Sequence, residues 1–439
     1  MTEAAERAEQ VVARIIADLG RAQRGVVVDS PPGAGKSTLV VRAAAALADA
    51  GETVMVIAQT NEQVNDLTDR LARAWPLLAI GRLASKEYVP SGRVVQHRHV
   101  TLATKAADLA GCKVVLSTAH KWATVSADAS WPWAIVDEAY QMRSDLLLRV
   151  AGLFDRALFV GDPGQLDPFS AVQTDRWTGL TWDPMQSAVA VLLRHNPDIP
   201  VHVLPVSWRL PESAATVVAE AFYPFTGFRP ATAAGQRRVE FSTRPFGKNP
   251  LDLAVETAAA SGWALYELPA RQTVRTDAEA VAACAALATR LVQRGALSYS
   301  ERAAAGVPVS ASRIAVGTAH RDQAQAVRML LQADGLSDIT IDTANRLQGR
   351  EFDIVIVLHP LSGRRDATAF HLEAGRLCVL TTRHRHACIV VARAGIPELL
   401  DAHPSTEPVH LNVPVKFPDG WEAHQSVLAH LQKWKVRAL

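Results

Sequence analysis

Short runs of β-branched apolar residues recur along the chain, separated by longer Ala- and Leu-rich stretches with helical periodicity. This alternation restricts the fold more than any other feature, because strands and amphipathic helices that take turns pack as parallel sheets covered by crossover helices. Strands are expected at Gly25–Asp29, 53–58, 113–117, 133–136, 157–160, 201–206, 313–317, 339–342, 353–358 and 387–391. Nearly all of them end at a polar cluster. Ligands of open α/β sheets bind beyond the carboxyl ends of the strands, so the chemistry is expected in the loops that follow.

At 439 residues the chain exceeds the roughly 100–200 of one ordinary domain, and two are expected. The polar, proline-bearing stretch at 195–200 sets the division: a first lobe over 1–196, a second over 197–404, and a C-terminal tail over 405–439. Within the second lobe, 230–250 reads as an irregular excursion and 278–295 as an amphipathic helix. The tail, with Trp421 and Trp434, is expected to pack, with a docking arm as the alternative. Apolar residues at 49% against 21% charged describe a chain able to bury real cores. The four cysteines, Cys112, Cys284, Cys378 and Cys388, lie far apart and suggest no metal cage. No apolar run approaches the ~18 residues of a membrane span and the N-terminus has no signal-like core, so a cytoplasmic protein is expected. A net charge of +2 is too small to identify a nucleic-acid binder, so any such surface must be local.

The segment GVVVDSPPGAGKSTL reads as a strand, a glycine-bearing loop and a helix. Such a loop wraps phosphate oxygens with backbone N–H groups and the positive end of the helix that follows. The cradle is Pro32, Gly33, Ala34, Gly35, Lys36, Ser37 and Thr38, with Lys36 reaching the β- and γ-phosphates and the Ser37 hydroxyl ligating Mg²⁺. Ser30 stands where the usual pattern has glycine or alanine; the bland alternative is a Pro-Gly turn.

Asp137 and Glu138 follow an apolar strand directly. Two adjacent acids there suit two tasks: Asp137 for the magnesium shell, and Glu138 to orient or deprotonate an attacking water. After the next strand comes GDPGQL, whose Gln165 is a candidate sensor of the γ-phosphate. Taken alone, each is an ordinary polar turn.

Taken together and in order, these segments resemble superfamily 1 helicases of the Upf-like branch, over residues 10–397. SPPGAGKST resembles motif I, IAQTNEQVNDLTDRL motif Ia, VDEAYQ motif II and VGDPGQLDP motif III. In the second half, SWRLP resembles motif IV, with GTAHRDQ near the segment that usually follows it; DTANRLQGREFDIVIV resembles motif V and RLCVLTTRHR motif VI. The resemblance implies two RecA-like P-loop lobes, each a mostly parallel sheet flanked by helices, with ATP in the cleft between them. It implies that Arg209 and Arg383 stabilise charge on the transferred phosphoryl group. It further implies that Trp208 stacks on the base, that Gly349 and Glu351 lie against the nucleotide with Glu351 at the ribose, and that Gln10 reads adenine. Trp208 as a core residue and Gln10 as a plain surface residue are the alternatives. Single-stranded nucleic acid, DNA ahead of RNA, would meet Thr60 and Asn61, then Thr118, His120, Lys121 and Trp122, then Thr343 and Arg346. Phosphates need donors and bases accept stacking, and the HKW triplet offers both.

The chain leaves little room for accessory domains before Ser30, between Asn61 and Ser117, or between Pro211 and Arg313, so a compact motor that translocates better than it unwinds is expected. The resemblance leans towards 5′ to 3′ movement. The second hypothesis is an ATP-gated assembly module that recruits a nuclease or recombination partner, with the tail as one contact. A generic P-loop kinase leaves Arg383 and motif V unexplained.

Overall fold

A computed structural model of the chain describes residues 3–126, 128–168, 175–177, 180, 183–244, 249–273, 276–404 and 418–438. They form two compact units. Of the described residues, unit 1 takes those up to Pro163 and from Asp167 to Pro205, while unit 2 takes Gly164–Leu166 and those from Val206 onward.

Unit 1 holds eight strands: β1 (Gly25–Asp29), β2 (Val54–Ala58), β3 (Ile80–Leu83), β4 (Val100–Ala103), β5 (Val114–Thr118), β6 (Trp131–Asp137), β7 (Phe154–Gly161) and β8 (Val201–Val203). They make one sheet in the order β4-β3-β5-β2-β6-β7-β1-β8, and every pairing is parallel. Successive residues of a strand face opposite sides. Val26, Val28, Val54 and Val56 accordingly enter the core beneath helices Glu3–Leu19, Lys36–Asp49 and Asn61–Ala74, and Val27, Met55 and Ile57 enter the core on the other face. Apolar runs without polar interruption are what a sheet covered on both faces requires.

Unit 2 repeats the plan. Its strands are β9 (Val206–Ser207), β10 (Arg229–Pro230), β11 (Arg238–Phe241), β12 (Trp263–Leu268), β13 (Ala296–Ser300), β14 (Ala303–Pro308), β15 (Ile314–Thr318), β16 (Thr340–Thr343), β17 (Phe352–Leu358), β18 (His384–Arg393) and β19 (Lys435–Arg437). The main sheet runs β16-β15-β17-β18-β12-β19, again all parallel. Val355, Val357 and Val390 face helices Glu212–Phe222, Ala374–Thr381 and Gly420–Leu431; Ile354, Ile356 and Ile389 face Pro250–Ser261, Ala278–Gln293 and Arg321–Ala333. Each unit is thus a RecA-like lobe.

Three expectations about organisation change. The strand expected at 201–206 is two: Val201–Val203 joins unit 1 beside β1, and Val206–Ser207 pairs with β10 in unit 2. Pro205, which lacks an N–H for a ladder, separates them and marks the crossing between units, nine residues beyond the expected 196. The excursion at 230–250 contains β11, which pairs antiparallel with β13 of a hairpin whose second strand is β14. The described part of the tail, 418–438, buries Ala423, Val427, Leu428 and Leu431 in unit 2 and adds β19 beside β12, while 405–417 lies outside the described residues. Among the described residues, no helix is long and apolar enough to cross a membrane.

Candidate nucleotide and nucleic-acid sites

The phosphate loop of unit 1 is set by its neighbours. β1 pairs with β7 so closely that a Cβ on Gly25 would lie 2.1 Å from the Ala157 carbonyl oxygen, and Ser30 N–H donates to the Gly161 carbonyl at 2.8 Å. Gly33 and Gly35 take φ of 73° and 96°, a left-handed conformation that costs glycine little. Gly35 opens helix Lys36–Asp49, whose first turn carries no acidic residue and no side-chain cap. Its N-terminal donors therefore remain available to an anion. Helix Asn61–Ala74 differs: Thr60 caps it, accepting from Gln63 N–H at 3.3 Å while Gln63 Oε1 accepts from Thr60 N–H at 3.0 Å.

Lys36 and Glu138 form an ion pair, Nζ to Oε1 2.8 Å and to Oε2 2.9 Å. Burial works against the lysine's charge, but Glu138, Asp162 and Asp137 around it outweigh burial and raise its pKa. Asp137, 5% exposed, is pushed up to about 7 by burial and by the adjacent Glu138. Its Oδ1 is buried with no hydrogen-bond partner. Glu138 sits at φ 52°, ψ 45°, the one non-glycine residue at positive φ among the described residues. That backbone costs of order 1–3 kcal/mol and persists only where the surroundings enforce it. An unsatisfied carboxylate oxygen beside a second acid suits a hard cation with oxygen ligands, so the Asp137 side fits Mg²⁺.

Asp29, Tyr140 and Asp162 belong to this site although sequence reasoning passed over them. Tyr140 donates its hydroxyl to Asp29 Oδ1 at 2.6 Å, tying the end of β1 to the turn after β6. Burial pushes Asp29 up to about 6; the Tyr140 hydrogen bond opposes that shift, and the charge of Asp162 adds to it. Gly161 makes room, since a Cβ there would lie 2.8 Å from the Tyr140 ring.

Gln165 lies with unit 2. Its Oε1 accepts from Gln348 Nε2 at 2.8 Å, and a Cβ on the preceding Gly164 would come within 2.5 Å of the Tyr223 ring. Elsewhere in unit 2, Arg209 donates to Glu351 Oε2 at 3.3 Å, and Glu351 also accepts from Arg385 at 2.9 Å. Burial would raise the Glu351 pKa, yet the two guanidinium groups hold it below the usual carboxylate range. Arg237, buried and also missed by sequence, donates to the Trp208 carbonyl at 2.8 Å and to the Arg209 carbonyl, and grips Glu301 through two bonds of 3.0 and 2.7 Å. Those bonds pull Glu301 down to about 2. Arg385 approaches Glu301 at 3.8 Å and closes a ring of charges around Arg209. Arg383 is wholly buried, with Nε on the Val379 carbonyl at 2.9 Å and Nη2 on Thr382 Oγ1 at 2.7 Å. Trp208 is 40% exposed, which leaves its ring open to stacking. Gly349 is exposed at φ 79°, and Gln10 is exposed on helix Glu3–Leu19.

The proposed nucleic-acid residues divide. Asn61 accepts from the buried Arg82 at 2.7 Å, His120 is exposed, and Lys121 is half-buried in a one-turn helix capped by Thr118. Arg346 is largely exposed, with Asp342 3.9 Å away, whereas Thr343 is buried. Trp122 is a correction: it is fully buried, donates to the Val56 carbonyl at 2.9 Å and packs edge-on against Trp131, so no base can stack on it.

Two family models, each described as an AAA domain, match the chain: AAA_30 over residues 8–179 and AAA_12 over 186–395. No curated protein matches. Among solved structures, the Arterivirus nonstructural protein 10 helicase is 14% identical with a TM-score of 0.44, over 87% of this chain and 61% of that one. The same helicase in complex with DNA gives 14%, 0.44, 88% and 62%, and the PRRSV helicase 14%, 0.42, 88% and 54%. The chain thus spans less than two thirds of the length of each of these proteins.

Proposed function

We propose that this chain is a superfamily 1 helicase that couples ATP hydrolysis to movement along single-stranded nucleic acid, a reading supported by the two AAA-domain matches. The observation that carries the proposal is the buried group formed by Lys36, Glu138 and Asp137, with its unsatisfied Asp137 oxygen and its strained Glu138 backbone. ATP phosphates entering the loop draw Lys36 away from Glu138. Glu138 is then free to orient the attacking water and accept its proton. Asp137 and Ser37 would hold magnesium, which would neutralise charge on the phosphates. Arg209 and Arg383 act on charge that develops at the transferred phosphoryl group, Gln165 senses that group, and Trp208, Glu351, Gly349 and Gln10 bind the rest of the nucleotide. Thr60, Asn61, Thr118, His120, Lys121, Thr343 and Arg346 contact the strand. DNA as the strand and 5′ to 3′ as the direction are the working assignments.

The test is steady-state ATP turnover with and without single- and double-stranded DNA and RNA. It is followed by displacement of streptavidin from either end of the preferred strand. Stimulation by single strands with loss of the block from one end supports a motor. Turnover indifferent to every nucleic acid, with a stable protein complex instead, would favour an ATP-gated assembly module.

A further inference from the structure

At the carboxyl edge of the unit 2 sheet, the loops after β17, β18 and β12 line an open recess of about 400 Å³. Arg271, Arg364 and Arg365 line it against a single carboxylate, Glu398. The three strands are neighbours, so three consecutive strand ends supply its walls, the position where α/β sheets bind ligands.

The walls are braced. Thr273 N–H donates to the Gly363 carbonyl at 2.8 Å, and Ala394 N–H to the Leu268 carbonyl at 2.9 Å. Gly363 has φ of 69°, and a Cβ there would lie 2.5 Å from Thr273 Oγ1, so the two loops meet closely. Beneath them, buried Arg393 is gripped by Asp277 and Glu279.

The arginines are only lightly committed. Arg364 Nε is buried with no hydrogen-bond partner, and Arg364 Nη2 comes no closer to Asp366 than 3.8 Å. Arg365 makes no ion pair among the described residues, and the largely exposed Arg271 reaches Glu279 at 3.4 Å. Three arginines lining one recess against a single carboxylate give it a net positive charge, which suits the oxygens of a phosphate. The Thr343 end of β16 and the His320 turn after β15 lie on the same sheet edge.

We infer that this recess is a further phosphate subsite, which takes a backbone phosphate of the single strand with its sugar. The inference rests on the helicase reading. A cavity of this size suits a nucleotide monophosphate unit and is at the small end of ligand pockets.

The experiment is oligonucleotide binding by the full chain across a salt series. It compares wild type, Arg364→Gln/Arg365→Gln, Arg271→Gln, and Arg14→Gln on the exposed face of helix Glu3–Leu19 as control. Binding of a non-hydrolysable ATP analogue and the thermal melt are recorded alongside, to verify that each variant is folded. The double variant is expected to bind severalfold more weakly and to lower the slope of log affinity against log salt by about 0.7 for each phosphate it no longer neutralises, as single strands do. Arg271→Gln should shift affinity in the same direction and Arg14→Gln should not. Unchanged affinity and slope in both pocket variants, with wild type binding normally, would overturn the subsite alone. Wild type that binds no oligonucleotide would overturn the helicase reading instead. Inorganic phosphate that raises the wild-type melt but not the double variant's, with oligonucleotide binding equal in both, would identify a free-anion site and overturn the strand assignment.

Discussion

A glutamate kept in left-handed backbone next to a buried aspartate has to be held there, and the Lys36 ion pair is one of the contacts that does so. Glu138→Gln retains the shape and removes the base, so turnover should fall by about 10²–10⁴-fold while ATP-analogue affinity stays near wild type. Lys36→Ala should lose both. Arg383→Ala should lower kcat by more than about tenfold with little change in analogue binding, because its contact is expected to strengthen in the transition state; equal loss of both would mark it as a core residue. The three unit 1 residues were legible because each follows a recognisable strand. Asp29 and Tyr140 were not: they meet across 111 positions, and neither has a local pattern that announces the contact. Arg237 was hidden in the same way, its partners Glu301 and Trp208 lying 64 and 29 positions away.

Among the elements, long β-branched strands such as Phe352–Leu358 declare themselves by sequence. Ile80–Leu83 does not, because its Arg82 reads as solvent-facing and yet is fully buried, bonded to Asn61 and to the Leu83 carbonyl. The segment 230–250 read as irregular because β11 is short and finds its partner in a distant hairpin. That hairpin carries Glu301 in its turn, and through Arg237 it fixes the backbone of Arg209. Arg237→Lys keeps the charge but loses the two-pronged grip. It should lower kcat while leaving analogue affinity intact, and Glu301→Gln should do the same; a fall in melting temperature with normal kcat would reduce the pair to structural support. Trp122→Ala removes a wholly buried ring and should cost about 3–5 kcal/mol in denaturant unfolding. Nucleic-acid affinity of the folded fraction should be unchanged.

For the molecule as a whole, unit 2 has an acid weakness that follows from its core. Burial depresses His384 and His424 to about 3, and His371 to about 4, so all three are neutral in the fold. In the unfolded chain they would bind protons below about pH 6.5, so stability is complete above that pH and drains as pH falls towards 3. Each contributes a slope of up to about 1.4 kcal/mol per pH unit across the window. Urea unfolding at pH 7.5 and at 5 should show the loss, and equal midpoints would contradict it. Two lobes of one plan, each with its own parallel sheet, were readable from the alternation of strand and helix; the crossing at Pro205 was not, since the apolar run spans it. The central claim, a strand-dependent ATPase built on Lys36, Asp137 and Glu138, is tested most directly by ATP turnover of wild type and Glu138→Gln with and without single strands. The account predicts a wild-type rate that rises with the strand and a variant that binds ATP yet stays near background in both conditions. A Glu138→Gln rate equal to wild type, or a wild-type rate indifferent to the strand, would contradict it.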